Sequence, residues 1–324
     1  MREAVFIPPP FFLGGVICIM SAITQKTRKP RSNEKRLAKY GWIFAAPWLF
    51  GLLVFYFYPL LSSIFYSLTD FNGMRMNAFV GLENYRMLFR DNVFWISIRN
   101  TLLYAALVVP VGIIFGVSVA LLLNFSSKFQ GIYRVIAFLP TLVPVVASAI
   151  IWQWLLNSQF GIVNYYLYEI GIDNPPPWFG SATWAKPAMM LITQWGIGTT
   201  ILTYLAGLQD IPQQYYEAAT IDGAGAIRRF TSVTLPLLTP VIFFNLVMSI
   251  IASCQMFVLP MMISPDGTPA NTMMFYAMFL YRNAFSYLKM GYANAMAWMM
   301  FVVVLGLTVI IYGTSNRWVH YLGE

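Results

Sequence analysis

The chain has 324 residues, of which 59% are hydrophobic, 17% aromatic and only 10% charged, with a formal net charge of +8. Soluble globular domains carry about 25% charged residues, so this composition excludes that class. Two cysteines and one histidine give neither a disulfide framework nor the donors of an ordinary His/Cys metal site, and no metal ligand is assigned.

In chain order, residues 4–23 (AVFIPPPFFLGGVICIMSAI) are apolar but interrupted by Pro8–Pro10. Two readings stay open, a seventh span or an interfacial helix, because the prolines shorten any continuous helix. A cleaved signal peptide fits poorly, since translocating the adjoining basic run would break the positive-inside rule. That run (Lys26, Arg28, Lys29, Arg31, Lys35, Arg36 and Lys39) reads as a cytoplasmic tail touching anionic lipid rather than a nucleic-acid site. Residues 1–36 are therefore taken as an apolar segment plus basic tail, and 37–324 as a transmembrane domain.

Six stronger apolar runs come next, at roughly 41–68, 100–123, 134–156, 187–208, 239–263 and 294–314. Each is long enough to cross a ~30 Å hydrocarbon core as a helix. None alternates with period two as a barrel strand would. The expected fold class is an all-α polytopic membrane protein. With the tail inside, 69–99, 157–186 and 264–293 fall outside, while 124–133, 209–238 and the C-terminus fall inside. Lys128, Arg134, Arg228, Arg229 and Arg317 agree with this orientation. Arg75, Arg86, Arg90 and Arg99 dissent, accompanied by Asp70, Glu83 and Asp91 on a longer loop.

No Asp, Glu, Lys, Arg or His lies in the middle of the six runs. A proton-driven carrier or an intramembrane hydrolase needs such groups at membrane depth, so both are disfavoured; sodium coupling through carbonyls and hydroxyls stays open. G-x-x-x-x-G-K-[ST], H-E-x-x-H and G-x-S-x-G are all missing, and no catalytic residue is assigned. The runs do hold Trp152, Gln153, Trp154, Gln194, Trp195, Asn245, Ser249, Ser253 and Gln255. Amides, hydroxyls and aromatic faces suit a sugar, but the same residues also glue helices together and form interfacial belts. Ser249, Ser253 and Met256 recur at i, i+4, i+7 and share one helix face.

Between the fourth and fifth runs lies a polar insert, 209–238, containing YYEAATIDGAGAIRRFTSVTLP at 215–236. Pro212 starts a helix over Gln213–Ile221, and Gly223-Ala224-Gly225 ends it. A second helical stretch then covers Ala226–Leu235, and Pro236 opens the next span. Ala218 and Ala219 let a partner's groove approach the backbone, and Glu217 offers a carboxylate to a basic residue.

Glu217-Ala218-Ala219, Asp222-Gly223-Ala224 and Leu235-Pro236 resemble the EAA loop of ATP-binding-cassette importer permeases. FVGLENY (79–85), FWISIRNT (94–101), FLPTLVP (138–144), LAGLQDIP (205–212) and the stretch 269–298 resemble the carbohydrate-uptake members, of the larger maltose-permease and glycerol-phosphate type. Size and motif content also resemble the alginate-oligosaccharide permeases. The resemblance runs from about residue 37 to the C-terminus. It implies a six-helix type I importer domain, with an added N-terminal helix if 4–23 folds as one, forming half of a heterodimeric pore in the inner membrane. It implies an importer subunit without enzymatic activity, binding no cofactor itself, while partner ATPases bind ATP and Mg. The implied partners are a second permease, the ATPase dimer, an extracytoplasmic solute-binding protein, a carbohydrate and the lipid bilayer. The coupling residues it implies are Glu217, Ala218, Ala219, Asp222, Gly223, Ala224 and Pro236. Gapless extension from the loop puts the sugar path at Gly196, Ser249, Ala252, Ser253 and Met256, with Asn245 and Gln255 beside it. Ala252 and Met256 depart from the aromatic and amide groups of the maltose type. The alternative is an ion-coupled secondary transporter working without an ATPase.

Overall fold

A computed structural model describes residues 32–75, 78–125 and 128–320. The chain divides into two compact units, one to Ser62 and one from Ser63. The expected segment 4–23, together with most of the basic tail, lies outside the described residues.

The first unit holds helix α1 (Ser32–Leu52), a π turn over Leu53–Phe57, and the opening residues of α2 (Tyr58–Ser67). Pro59 has no N–H to give, and its ring would crowd the carbonyl one turn back. The π turn just ahead of it widens the helix and removes that conflict. Lys39–Ser67, 29 residues, is long and apolar enough to cross a membrane.

The second unit continues with α3 (Glu83–Arg90), α4 (Asn92–Asn124), α5 (Gln130–Phe138), α6 (Val145–Leu155) and α7 (Ile162–Glu169). Then come α8 (Ala185–Trp195), α9 (Gly198–Gln209), α10 (Gln213–Ile221), α11 (Ala226–Arg229), α12 (Leu235–Cys254), α13 (Val258–Ile263), α14 (Tyr276–Tyr281) and α15 (Met290–Ser315). Among the described residues the extended structure amounts to one β-bridge, Thr69 with Phe79. The described residues are mostly helical, as expected.

Four expected spans are long apolar helices: Lys39–Ser67, Asn92–Asn124, Ala226–Ile263 and Met290–Ser315. The other two differ from expectation. The run 134–156 is bent by 96° between Leu142 and Val145, where Pro144 forces extended backbone on its neighbour. The run 187–208 is broken at Gly196 and Ile197 into the short helices α8 and α9. The insert differs too. Pro236 does not open a new helix: Ala226–Ile263 forms a single 38-residue candidate span. A π turn over Phe230–Thr234 precedes this proline just as another precedes Pro59, and it lets the helix run on.

Packing in the second unit centres on α9, wedged against α4 and α12. Gly112 and Gly116 lie one turn apart on α4; a Cβ at Gly116 would come within 2.9 Å of the Tyr204 ring. Lipid tails are as apolar as leucine, so helix association rests on such van der Waals fit at small residues. Val117, Ala120, Leu205, Leu208 and Leu238 fill this end. At the opposite end of α4, Phe94, Tyr104, Met189, Phe275, Tyr276 and Met296 form a second cluster, with rings edge-on at 5.8 Å for Phe94–Tyr276 and 5.3 Å for Tyr104–Phe275.

That end is clamped by polar side chains. Asn100 Nδ2 donates to the carbonyls of Asn271 at 2.7 Å and Met274 at 3.1 Å. Asn100 Oδ1 accepts from Lys186 Nζ at 3.0 Å. Thr101 Oγ1 accepts from Tyr276 N at 2.9 Å. Burial, with like-charge repulsion from Arg99 added, holds the Lys186 ammonium below its usual pKa. The FWISIRNT motif thus ends on the two residues that hold the 271–276 segment in place.

Candidate functional site

Two sites emerge, an elbow at one end and a recess within the helices. The elbow begins with α10, which stops where the sequence predicts. Gly223 stands at φ +73°, its N–H bonded to Thr220 O at 3.0 Å, and Ala224 N reaches Ala219 O at 2.8 Å. These two bonds and the left-handed glycine form a Schellman stop, which satisfies the last carbonyls of the helix. Glu217, Ala218, Asp222 and Gly223 are exposed, Ala219, Ala224 and Pro236 half-buried. Ile221 and Ile227 flank the turn, 86% and 81% exposed. Sequence reasoning missed both isoleucines, since nothing in the local pattern separates an outward apolar residue there from a packed one.

The elbow is braced against the helix that leaves it. Tyr216 Oη and Thr234 Oγ1 share a hydrogen bond of 3.0 Å, and Thr220 Oγ1 accepts from Arg229 at 3.4 Å. From Ala226 the helix passes through the π turn and reaches Ser249 and Ser253 without a break.

The recess, of about 240 Å³, lies between α4, the α8–α9 break and the end of α12. Gly196, Ser249, Ala252, Ser253 and Met256 all line it. A second space of about 590 Å³, against the bend at Pro144, shares Thr193, Gly196, Ala252 and Met256 with the first. The structure therefore brings together five of the seven path residues read from sequence. It does not bring in the other two. Asn245 is buried with Nδ2 bonded to Val241 O at 2.9 Å, and exposed Gln255 caps α12. Asn245 bonds only its own helix here, whereas Gln153 plays the gluing role between helices, donating to Met262 O at 2.9 Å.

On the other wall lie Gln194, which the sequence already singles out as suited to a sugar, and Tyr204, which sequence reasoning missed. Gln194 Nε2 donates to Val108 O at 3.0 Å, while Gln194 Oε1 and Tyr204 Oη are buried without a hydrogen-bond partner among the described residues. A buried polar group left unpaired costs about 1–3 kcal/mol, so two in one recess demand an explanation. The available signal was the Gly112-x-x-x-Gly116 spacing, which makes the space these two side chains occupy. Trp152 Nε1 is likewise unpaired, its ring edge-on to Trp195 at 6.0 Å.

Comparison with known proteins identifies this architecture. Residues 112–319 match the family model described as the binding-protein-dependent transport system inner membrane component. The chain is 38% identical over 298 residues to the probable ABC transporter permease protein YesP of Bacillus subtilis (strain 168), covering 91% of this chain and 96% of that one. It is 35% identical over 295 residues to the sulfoquinovosyl glycerol transport system permease protein SmoG of Agrobacterium fabrum, covering 86% and 95%. In fold it is similar to a chain of the bacterial alginate ABC transporter crystallised with an alginate pentasaccharide-bound periplasmic protein, with a TM-score of 0.73 at 22% identity, covering 87% of this chain and 96% of that one. The ion-coupled alternative finds no support among these relatives. Family members of this kind move solutes and perform no chemistry. The chain therefore belongs to the family of binding-protein-dependent inner-membrane components: it is a multi-pass permease subunit of an ABC importer.

Proposed function

We propose that this permease carries an oligosaccharide or related carbohydrate, forms half of the pore with a second permease, and takes its driving force from an ATPase dimer seated on 209–238. A solute-binding protein delivers the sugar to the far side, and ATP and Mg stay on the ATPases. The observation that carries this reading is the unbroken helical path from Ala226, just after the elbow, to Ser249 and Ser253 in the recess. Motion imposed on Glu217 and its exposed neighbours passes to this helix across the 222–225 turn, which the Tyr216–Thr234 hydrogen bond of 3.0 Å braces. The recess is lined by the hydroxyl residues Thr193, Thr199, Thr200 and Ser249 and by no charged side chain, a lining that suits an uncharged sugar. The relatives' names support a sugar cargo; the ATPase and the binding protein must favour different states of this helix for transport to be driven.

Glu217→Lys tests the coupling. Uptake should be abolished while the chain still inserts and recruits its partner permease, measured by membrane fractionation and co-purification. Normal uptake in that variant refutes the coupling role.

A further inference from the structure

We propose that the cavity of about 370 Å³ between α3 and the start of α15 is a docking socket for the solute-binding protein, taking an arginine side chain of that partner onto Asp91 and Asp70. The inference rests on the binding-protein part of the proposed function and adds where, and through what chemistry, the two proteins meet. The cavity shares no lining residue with the recess or with the larger space beside it. It lies on the outer side in the orientation that the charges give. Two of the sequence motifs come together there: Asn84 belongs to FVGLENY, and Asn283 and Leu288 to the stretch 269–298.

The walls are fixed before any partner arrives. Asn84 Nδ2 donates to the carbonyls of Ser67 and Thr69, each at 2.8 Å. Gly291 N donates to Phe71 O at 2.7 Å, and a Cβ on Gly291 would collide with Thr69 O, so only glycine lets the 69–71 segment lie this close. Lys289 N donates to Asn283 O at 2.8 Å. The intervening turn holds Leu288 left-handed at φ +56°, a strained conformation for a leucine. Leu288 and Met87 are both exposed on the rim.

Asp91 is half-buried in the lining. Its Oδ1 accepts from Val93 N at 2.8 Å and its Oδ2 from Tyr292 Oη at 3.0 Å. These bonds lock the carboxylate in place, yet it forms no ion pair among the described residues. Exposed Asp70 adds a second carboxylate, its Oδ1 taking Ala78 N at 2.7 Å. Against these two charges the described lining holds one ammonium, that of exposed Lys289, so the socket is net acidic. A guanidinium answers that arrangement better than a second ammonium would. Its flat fork of N–H donors reaches both carboxylates, while its methylene stem covers Met87 and Leu288. Arginine seated in a preformed pocket is an anchor of the kind that carries much of an interface's binding energy.

The test uses the whole importer, assembled with its native partner subunits in nanodiscs, and its own solute-binding protein, with association followed by surface plasmon resonance. Asp91→Asn keeps an oxygen for Val93 N and removes the charge. It should weaken association by at least about tenfold, the loss of one charge-assisted hydrogen bond. Asp91→Glu should recover part of that loss, and added salt should weaken the Asn variant less than the wild type. Phenylglyoxal, which modifies arginines, should find one arginine of the binding protein shielded by the wild-type importer and open with Asp91→Asn. Wild-type affinity in both Asp91→Asn and Asp70→Asn overturns the socket, and so does a binding protein with no arginine shielded. If Asp91→Asn fails to assemble, Asp70→Asn decides. If the binding protein does not associate with the wild-type importer at all, the binding-protein reading itself falls and takes the socket with it.

Discussion

Gly223 is the residue on which the elbow turns. Its φ of +73° is a conformation that costs an L-residue about 1–2 kcal/mol, and no neighbour lies within 4 Å of a Cβ added there. Gly223→Val should therefore misdirect the turn through backbone strain alone, without a clash. We expect insertion to persist and ATPase stimulation by loaded binding protein to fall several-fold, measured in proteoliposomes; unchanged stimulation would show that the turn geometry is dispensable. Asn100 matters in another way, because its amide serves two carbonyls and the Lys186 ammonium at once. Asn100→Ala leaves those groups unpaired and should destabilise the fold by roughly 1–3 kcal/mol, seen as a lowered thermal midpoint in detergent. The role of Gly223 could be read from sequence, since a glycine after a helical run has one common use. Tyr204 could not, because an aromatic residue in an apolar run looks the same whether its hydroxyl is paired or spare.

Among the helices, the bond between Tyr216 and Thr234 decides whether α10 and α12 move together. Each single variant, Tyr216→Phe and Thr234→Val, should reduce the sugar moved per ATP, and the pair should lose little more than either alone. A double-mutant cycle should give a coupling of about 0.5–1.5 kcal/mol, and strict additivity would separate the two helices mechanically. The long apolar runs showed plainly in the sequence because length and hydropathy suffice for them. The interruptions did not. Gly196 and Ile197 break a charge-free run within its polar stretch 193–200, and the hydrogen bond from Thr141 Oγ1 to Gly196 O at 3.3 Å shows only in the fold. Prolines were similarly ambiguous: Pro144 bends its run by 96°, whereas Pro236 is absorbed by a π turn and bends nothing sharply. Asn245 and Gln255 illustrate the same limit, since an amide facing its own helix and one facing a cavity have identical sequence signatures.

For the whole molecule, the assignment of sides comes from charge, and the placement of every interaction depends on it. Ile227, 81% exposed beside the elbow, gives a direct check: in a chain with Cys18 and Cys254 replaced, Ile227→Cys should react with a membrane-impermeant maleimide only in inverted vesicles. Reaction in right-side-out cells would reverse the orientation and with it the coupling scheme. The stretch Ala226–Ile263 adds a dimension to this picture. The helix runs unbroken only from Ala226 to Cys254, a rise of about 43 Å at 1.5 Å per residue, whereas the hydrocarbon core is only ~30 Å thick. Part of this mast must overhang the hydrocarbon, lifting the Gly223 corner out of the lipid tails to where a soluble engine can grip it.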